Sequence, residues 1–288
     1  MSDYEEIYDF STLGYDWNTD NDDFGDKLEI EMGKNPKLKD IYGLSLLISF
    51  DWDATYNYLR DFAGGLKKAS AYLFDVTDGY LYIKSVTLCD NKHYWNSADI
   101  RVYQSNVHPN TDEAGGIKDQ SKHINLPHNW DGKSYPWGYS WTHKEGYRTI
   151  VHELGHYALF LYDEYKDADG KEYPRVHDDA TGYDIPQGPH SFMNFQYKYS
   201  EMTSEYNYTH WSPPSGYKTT MQRYINQESC WETFFRMYNS LNGEYRKVIE
   251  FDLNGDSIVD SAFWDSYIPK PGPVWDFSDI TEVLIYDF

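Results

Sequence analysis

The chain has 288 residues, of which 40% are hydrophobic and 25% charged, so its composition suits a packed core and excludes an intrinsically disordered protein. Its formal net charge is −22, from 47 acidic and 25 basic residues, and this negative field disfavours binding to nucleic acid or anionic membranes. Its two cysteines, Cys89 and Cys230, permit one long-range disulfide but exclude a disulfide scaffold and a four-thiolate zinc site. The sequence has no run of about 18 apolar residues, so it predicts no membrane span.

The first predicted element is an acidic calcium loop within residues 1–40. In "NTDNDDFGDKLE", oxygen ligands recur at the spacing of a 12-residue EF-hand loop, which ends in a bidentate carboxylate. The predicted calcium ligands are Asn18, Asp20, Asp22, Phe24 (through its backbone carbonyl), Asp26 and Glu29. The segment resembles the EF-hand-like and thrombospondin type 3-like repeats of secreted microbial proteins, although Asp23 stands where glycine is usual. The alternative is an acidic loop that binds no metal.

The next 200 residues predict a mixture of strands and helices. "YGLSLLISF" and "GYLYIKSVTLCD" predict strands, and the helical spacing between them is interrupted by a Gly-Gly pair. "HINLP" is a candidate edge strand, on which an extended peptide could pair by strand addition. A strong helix is predicted over residues 145–161, and a second one over residues 217–241 with an interruption near Gln227. These elements predict an α+β fold.

The stretch "IVHELGHYALFLYDEY", residues 150–165, contains the candidate chemistry. His152 and His156 are four residues apart, so on a helix they project from one face and can bind one cation. Glu153 follows the first histidine, where a carboxylate can reach a metal-bound water without binding the metal. This HExxH arrangement is typical of zinc metallopeptidases, in which the glutamate is the general base. The alternative is a buried helix with two hydrogen-bonded histidines.

A zinc site of this kind needs a third protein ligand. On an unbroken helix Asp163 would lie about 10 Å beyond His156 along the axis, too far to share one ion. If Asp163 binds zinc, the helix must therefore end near residues 159–162 and the chain must fold back. The rival ligands are Glu228 and Glu232, because other zinc peptidases take a glutamate from a later helix.

Residues 150–165 resemble the metzincin metallopeptidases. Their usual pattern has glycine and then a His or Asp where this chain has Leu159 and Tyr162. The stretch better matches a variant that resembles the metallopeptidase domain of the calcium-activated chloride channel regulator family, with the pattern HExxHxxxGxxDEY. The resemblance implies that zinc is held by His152, His156 and Asp163. It also implies that Glu153 is the general base and that Glu164 supports the ligands.

Further resemblances and one departure follow along the chain. "SFMNFQ" resembles the methionine turn of metzincins, which would place Met193 as an apolar floor beneath the zinc, and "QESCWETF" resembles the segment after that turn. Tyr197 is a candidate group for stabilising an oxyanion. Phe160 stands where the family has glycine. If the turn needs a left-handed residue there, phenylalanine costs about 1–2 kcal/mol; otherwise the turn is built differently.

Residues 246–288 predict a β-rich C-terminal segment. Within it "DLNGDSIVD", residues 252–260, partly repeats the calcium-loop spacing. Phe263 occupies the position of the last ligand, so a hairpin turning on Asn254-Gly255 is favoured over a second calcium site.

Together these features predict a secreted zinc endopeptidase that acts on protein or peptide substrates and binds Zn²⁺ and Ca²⁺. The start "MSDYEEIYDF" lacks the basic and apolar regions of a signal peptide, so a secreted protein would be in its processed form. The predicted organisation is an EF-hand-like module over 1–40, a metallopeptidase domain over 41–245 and the segment 246–288. The resemblance implies a metzincin-like mixed sheet with an active-site helix and a C-terminal helical subdomain. The alternative function is a non-proteolytic cell-surface binding or adhesion protein on a peptidase scaffold.

Overall fold

A computed structural model of the chain describes residues 19, 25–27, 42–133, 138–239 and 282–286. The strands, in chain order, are β1 (Tyr42–Phe50), β2 (Leu81–Cys89), β3 (Ile100–Tyr103), β4 (Asn110–Thr111), β5 (Ile124–Pro127), β6 (Arg175–Asp178), β7 (Tyr183–Pro186) and β8 (Glu282–Tyr286). The helices are α1 (Tyr56–Val76), α2 (Lys144–Tyr157), α3 (Phe192–Phe195), α4 (Glu205–His210), α5 (Met221–Asn226) and α6 (Cys230–Asn239). The protein is therefore mixed α and β, as an α+β fold requires.

A six-stranded sheet in the order β4-β5-β3-β1-β2-β8 forms the centre of the molecule. Its strands pair in parallel except β4, which is antiparallel to β5. Strands β1 and β2 are rich in buried aliphatic side chains, as expected where helices cover a parallel sheet. Strand β8, from the segment 246–288, pairs with β2 and so belongs to this same sheet.

Helix α1 packs on β2 and on α2. It begins where the Thr55 side chain accepts a hydrogen bond from the backbone N–H of Tyr58. The structure confirms the predicted helix, and the Gly-Gly pair, a flaw in its helical spacing, lies inside it without breaking it. A Cβ atom on Gly65 would lie 2.8 Å from the carbonyl oxygen of Trp141, so glycine allows the chain leading into α2 to approach closely.

Two other predicted elements differ in their detail. "HINLP" does form a strand, but β5 lies between β3 and β4, so the edge on this side of the sheet is β4 and the predicted edge role of β5 is wrong. The helical region over residues 217–241 divides into α5 and α6 at Gln227, whose φ of 59° is left-handed. This division confirms the predicted interruption.

Both cysteines are buried and unbonded, so the disulfide that the sequence permits does not form. Among the described residues, no helix has the length and the apolar run needed to cross a bilayer. Of the predicted calcium ligands, Asp26 is described: it is buried, and its carboxylate accepts hydrogen bonds of 2.6 Å from the backbone N–H and the hydroxyl of Thr19. The other five predicted calcium ligands lie outside the described residues; they are Asn18, Asp20, Asp22, Phe24 and Glu29. The 252–260 loop also lies outside them.

Candidate metal centre

Helix α2 carries the two histidines, and backbone carbonyl groups orient both rings. Nδ1 of His152 lies 3.2 Å from the carbonyl oxygen of Phe192, and Nδ1 of His156 lies 2.7 Å from that of Leu161. A carbonyl oxygen can only accept a hydrogen bond, so each Nδ1 carries the proton. Each Nε2 is therefore the ring nitrogen through which a metal would bind, in place of any proton there.

The chain reverses directly after α2, which ends at Tyr157, somewhat before the predicted end. The backbone N–H of Leu161 donates a 3.0 Å hydrogen bond back to the carbonyl of Gly155. This reversal returns Asp163 to the histidines, as the third-ligand hypothesis requires. Asp163 Oδ1 lies 3.6 Å from Nε2 of His152 and 3.2 Å from Nε2 of His156.

These separations are compatible with one zinc ion. Donors at about 2.0–2.1 Å from a tetrahedral zinc lie about 3.3 Å from each other. All three donor atoms, from His152, His156 and Asp163, lie within 4.8 Å of one another. Their side chains are only 7%, 16% and 13% exposed, so little bulk water surrounds them.

The turn contains a left-handed phenylalanine. Phe160 has a φ of 63°, so the expectation of a differently built turn is wrong, and the backbone strain of about 1–2 kcal/mol is present. Its ring packs against Gly115, where an added Cβ atom would lie 2.3 Å from the ring. Nζ of Lys118 lies 4.5 Å from the ring centroid. These contacts offset the strain and hold the turn closed.

The electrostatics of the cluster favour a positive charge between its donors. Asp163 Oδ1 is buried and has no hydrogen-bond donor in good geometry, although both imidazoles are close to it. Burial alone would raise the pKa of Asp163, but His152 and His156 outweigh burial and hold that pKa well below its usual range. Burial alone would lower the pKa of His156, but Asp163 and then Glu153 raise it to about 9. A buried carboxylate with this surplus of acceptor capacity fits a dication.

Glu153 is buried, and a residue of the edge strand β4 holds its side chain in place. Its Oε2 atom accepts a 2.9 Å hydrogen bond from Oγ1 of Thr111 in β4, and the same hydroxyl lies 3.0 Å from the backbone carbonyl of Glu153. Thr111 was missed by reasoning from sequence, because no spacing rule connects two residues 42 positions apart. The contact couples the candidate general base to the edge strand.

Glu164 connects the ligand turn to the segment that contains Met193. It is fully buried, and its carboxylate accepts hydrogen bonds from Ser191, from Tyr208 and, at 2.8 Å, from Thr203. Its backbone N–H donates to the carbonyl of Met193 at 3.1 Å. Glu164 thus supports the position of Asp163 without facing the histidines.

Met193 lies beneath the helix that carries the histidines. It is fully buried, and a Cβ atom on Gly155 would lie 2.6 Å from its sulfur. The methionine therefore packs on α2 between the two histidines in sequence, as an apolar floor would.

The rival third ligands lie elsewhere. Glu228 pairs with Arg236, with 2.8 Å between Oε2 and Nε, and Glu232 accepts a 3.0 Å hydrogen bond from the backbone N–H of Ser229. Within the described part of the chain, the single cluster of three metal-binding donors is that of His152, His156 and Asp163.

The cluster opens into a cavity of about 960 Å³. Its lining includes residues 106–114, which contain β4, together with Thr149 and Tyr197. The hydroxyl of Tyr197 lies 3.1 Å from that of Thr149, on the helix turn before Glu153. A cavity of this size accommodates several residues of an extended peptide.

Comparisons of this chain with known protein families, with curated proteins and with solved structures give no match. The resemblance to metzincins is carried by the short stretches 150–165 and 191–196. What these stretches do is therefore inferred from the geometry of the site itself.

Proposed function

We propose that this protein is a zinc-dependent endopeptidase with zinc held by His152, His156 and Asp163. The observation that carries the proposal is the convergence of two Nε2 atoms and one Oδ1 atom within 4.8 Å, next to a buried glutamate, in the lining of an open cavity. When bound, zinc would supply Lewis acidity at its open fourth position, polarising a peptide carbonyl and lowering the pKa of a water molecule.

The surrounding residues would perform the remaining steps. Glu153 takes a proton from the attacking water and gives it to the leaving amine. Thr111 holds Oε2 of Glu153 and so fixes the direction of its carboxylate. Tyr197, which also lines the cavity, is the candidate donor to the developing oxyanion.

The substrate would be an extended protein or peptide segment. Strand β4 pairs with β5 along one side, and Asn110 and Thr111 line the cavity. A peptide can therefore add to the outer side of β4 and cross the cluster. The edge strand predicted from "HINLP" is replaced in this role by its neighbour β4.

The retained position of Glu153 supports catalysis over the alternative of a binding protein on a peptidase scaffold. A protein that only binds would have no need for a buried carboxylate held beside the metal ligands. Calcium binding by residues 18–29 and action outside the cell remain predictions from the sequence.

The test is zinc content per chain together with casein cleavage, for the wild type and for Glu153→Gln. We expect the variant to keep about one zinc and to lose cleavage by about 10²–10⁴-fold, because the amide cannot accept the proton. Glu172→Gln is the matched control, since Glu172 also lines the cavity but is exposed and lies beside Arg175. A wild type without zinc, or a Glu153→Gln variant that cleaves normally, would refute the proposal.

A further inference from the structure

The two oxygen atoms of Asp163 have different partners. Oδ1 faces Nε2 of both histidines, whereas Oδ2 accepts a 2.9 Å hydrogen bond from Nζ of Lys166. The ligand atom is thus already distinguished from the other oxygen, in a carboxylate that is 13% exposed.

Lys166 is held in place by several contacts. Its side chain is 29% exposed, and its ammonium group lies 4.5 Å from the centroid of the Tyr165 ring. Its backbone forms a bridge with Glu172, and its carbonyl accepts a 3.0 Å hydrogen bond from the N–H of Met221. These contacts restrict the motion of Lys166. In exposed ion pairs the lysine moves freely, and such pairs contribute little to stability.

The consequence concerns the geometry of a bound metal. An aspartate can bind zinc through one oxygen or through both, and binding through both uses the position that water and substrate need. A carboxylate ligand also leaves the site with one positive charge fewer than three histidines would. A fixed ammonium group on Oδ2 restores that charge and keeps this oxygen away from the metal.

We infer that Lys166 is a positioning residue that keeps Asp163 a one-oxygen ligand and the fourth metal position open. This inference rests on the proposed metal centre. By charge alone, removing a cation near zinc strengthens zinc binding without changing how many ligands the metal has. The coordination number therefore separates positioning from simple repulsion.

The experiment compares Lys166→Met, Lys166→Arg and the control Lys171→Met. Lys171 lies on the same loop, is exposed, and places its Nζ 3.7 Å from the centroid of Tyr217. The measurements are the zinc dissociation constant, by competition with a chelator, and the visible absorption of the cobalt(II)-substituted protein. Cobalt reports coordination directly, because its visible bands weaken as the coordination number rises.

We expect Lys166→Met to weaken the cobalt bands, because the freed Oδ2 joins Oδ1 as a ligand and raises the coordination number. Lys166→Arg, which can still donate to Oδ2, should restore the bands, and Lys171→Met should match the wild type. If Lys166→Met fails to fold, Lys166→Leu decides, since leucine has no donor for Oδ2 and the same result is expected.

The outcomes separate this inference from the proposed function. A wild type that binds zinc and cleaves casein, with a Lys166→Met variant that binds zinc and has an unchanged cobalt spectrum, refutes the role of Lys166 alone. A wild type that binds neither zinc nor cobalt refutes the metal centre and this role with it.

Discussion

Within the described part of the chain, the candidate metal centre and the β6–β7 hairpin both bring histidine beside aspartate, and they differ in burial and in the orientation of the rings. In the candidate metal centre, the side chains of His152, His156 and Asp163 are 7%, 16% and 13% exposed. On the β6–β7 hairpin, His177 lies between Asp179 and Asp184, with exposures of 60%, 100% and 67%. The residue types are the same in both places.

The orientation of the rings makes the difference. In the hairpin, Nδ1 of His177 lies 2.9 Å from Asp184 and Nε2 lies 3.7 Å from Asp179, so the two ring nitrogens face different carboxylates. In the metal centre, backbone carbonyls occupy both Nδ1 atoms, and both Nε2 atoms turn towards one oxygen of Asp163. The backbone acceptors at Nδ1 therefore leave both Nε2 atoms of the candidate centre facing a single carboxylate oxygen, an arrangement that supports the proposed metal site.

The largest expected effect is on zinc affinity, and it appears when aspartate is replaced by alanine in the candidate metal centre but not in the hairpin. Asp163→Ala should weaken zinc binding by more than the roughly 10–100-fold that follows loss of a supporting group, because a ligand itself is removed. Asp184→Ala should leave the zinc dissociation constant unchanged. Chelator competition on both variants measures this, and equal losses would break the comparison.

A smaller effect concerns the turn that only the metal centre has. Phe160→Gly and Phe160→Ala both remove the ring packed on Gly115, so they differ mainly in backbone strain. A left-handed alanine costs about 1–2 kcal/mol, and the greater unfolded-state entropy of glycine offsets about 0.4–1 kcal/mol of that. We expect Phe160→Gly to be more stable than Phe160→Ala by about 1 kcal/mol in urea unfolding of the metal-free protein. An alanine variant that is the more stable of the two would show that residue 160 is not left-handed.

The smallest expected effect is on the pH dependence of stability, and it concerns Glu201, a partly buried carboxylate whose pKa shift involves no histidine. Burial, together with Asp78 and Asp75, raises the pKa of Glu201 from 4.5 to about 9, the opposite direction to Asp163. Between these two pH values the folded state binds more protons than the unfolded state, so the free energy of unfolding falls as pH rises. Glu201→Gln should remove this dependence, and its stability relative to wild type should grow by about 0.5–1 kcal/mol between pH 6 and pH 7, allowing for partial exposure. Denaturant unfolding of both proteins at the two pH values measures it, and parallel pH profiles would contradict the assignment.

The sequence by itself determined the local part of the site. Helical periodicity places His152 and His156 on one face of α2 with Glu153 next to them, because residues four apart on a helix are neighbours whatever surrounds the helix. Alternating and buried apolar runs likewise predicted β1 and β2, since the side-chain period of a strand is also local. The sequence also predicted that the chain must reverse after α2 if Asp163 is to reach the histidines.

The tertiary structure alone decided how the site closes. It puts β4 rather than β5 at the sheet edge, brings Thr111 to Glu153 and directs Lys166 to the second oxygen of Asp163. It also places the left-handed turn at Phe160, where the sequence rule expects glycine. The physical reason is that each of these features depends on packing between segments distant along the chain or on a turn held by such packing. No periodic pattern within a single segment encodes those contacts.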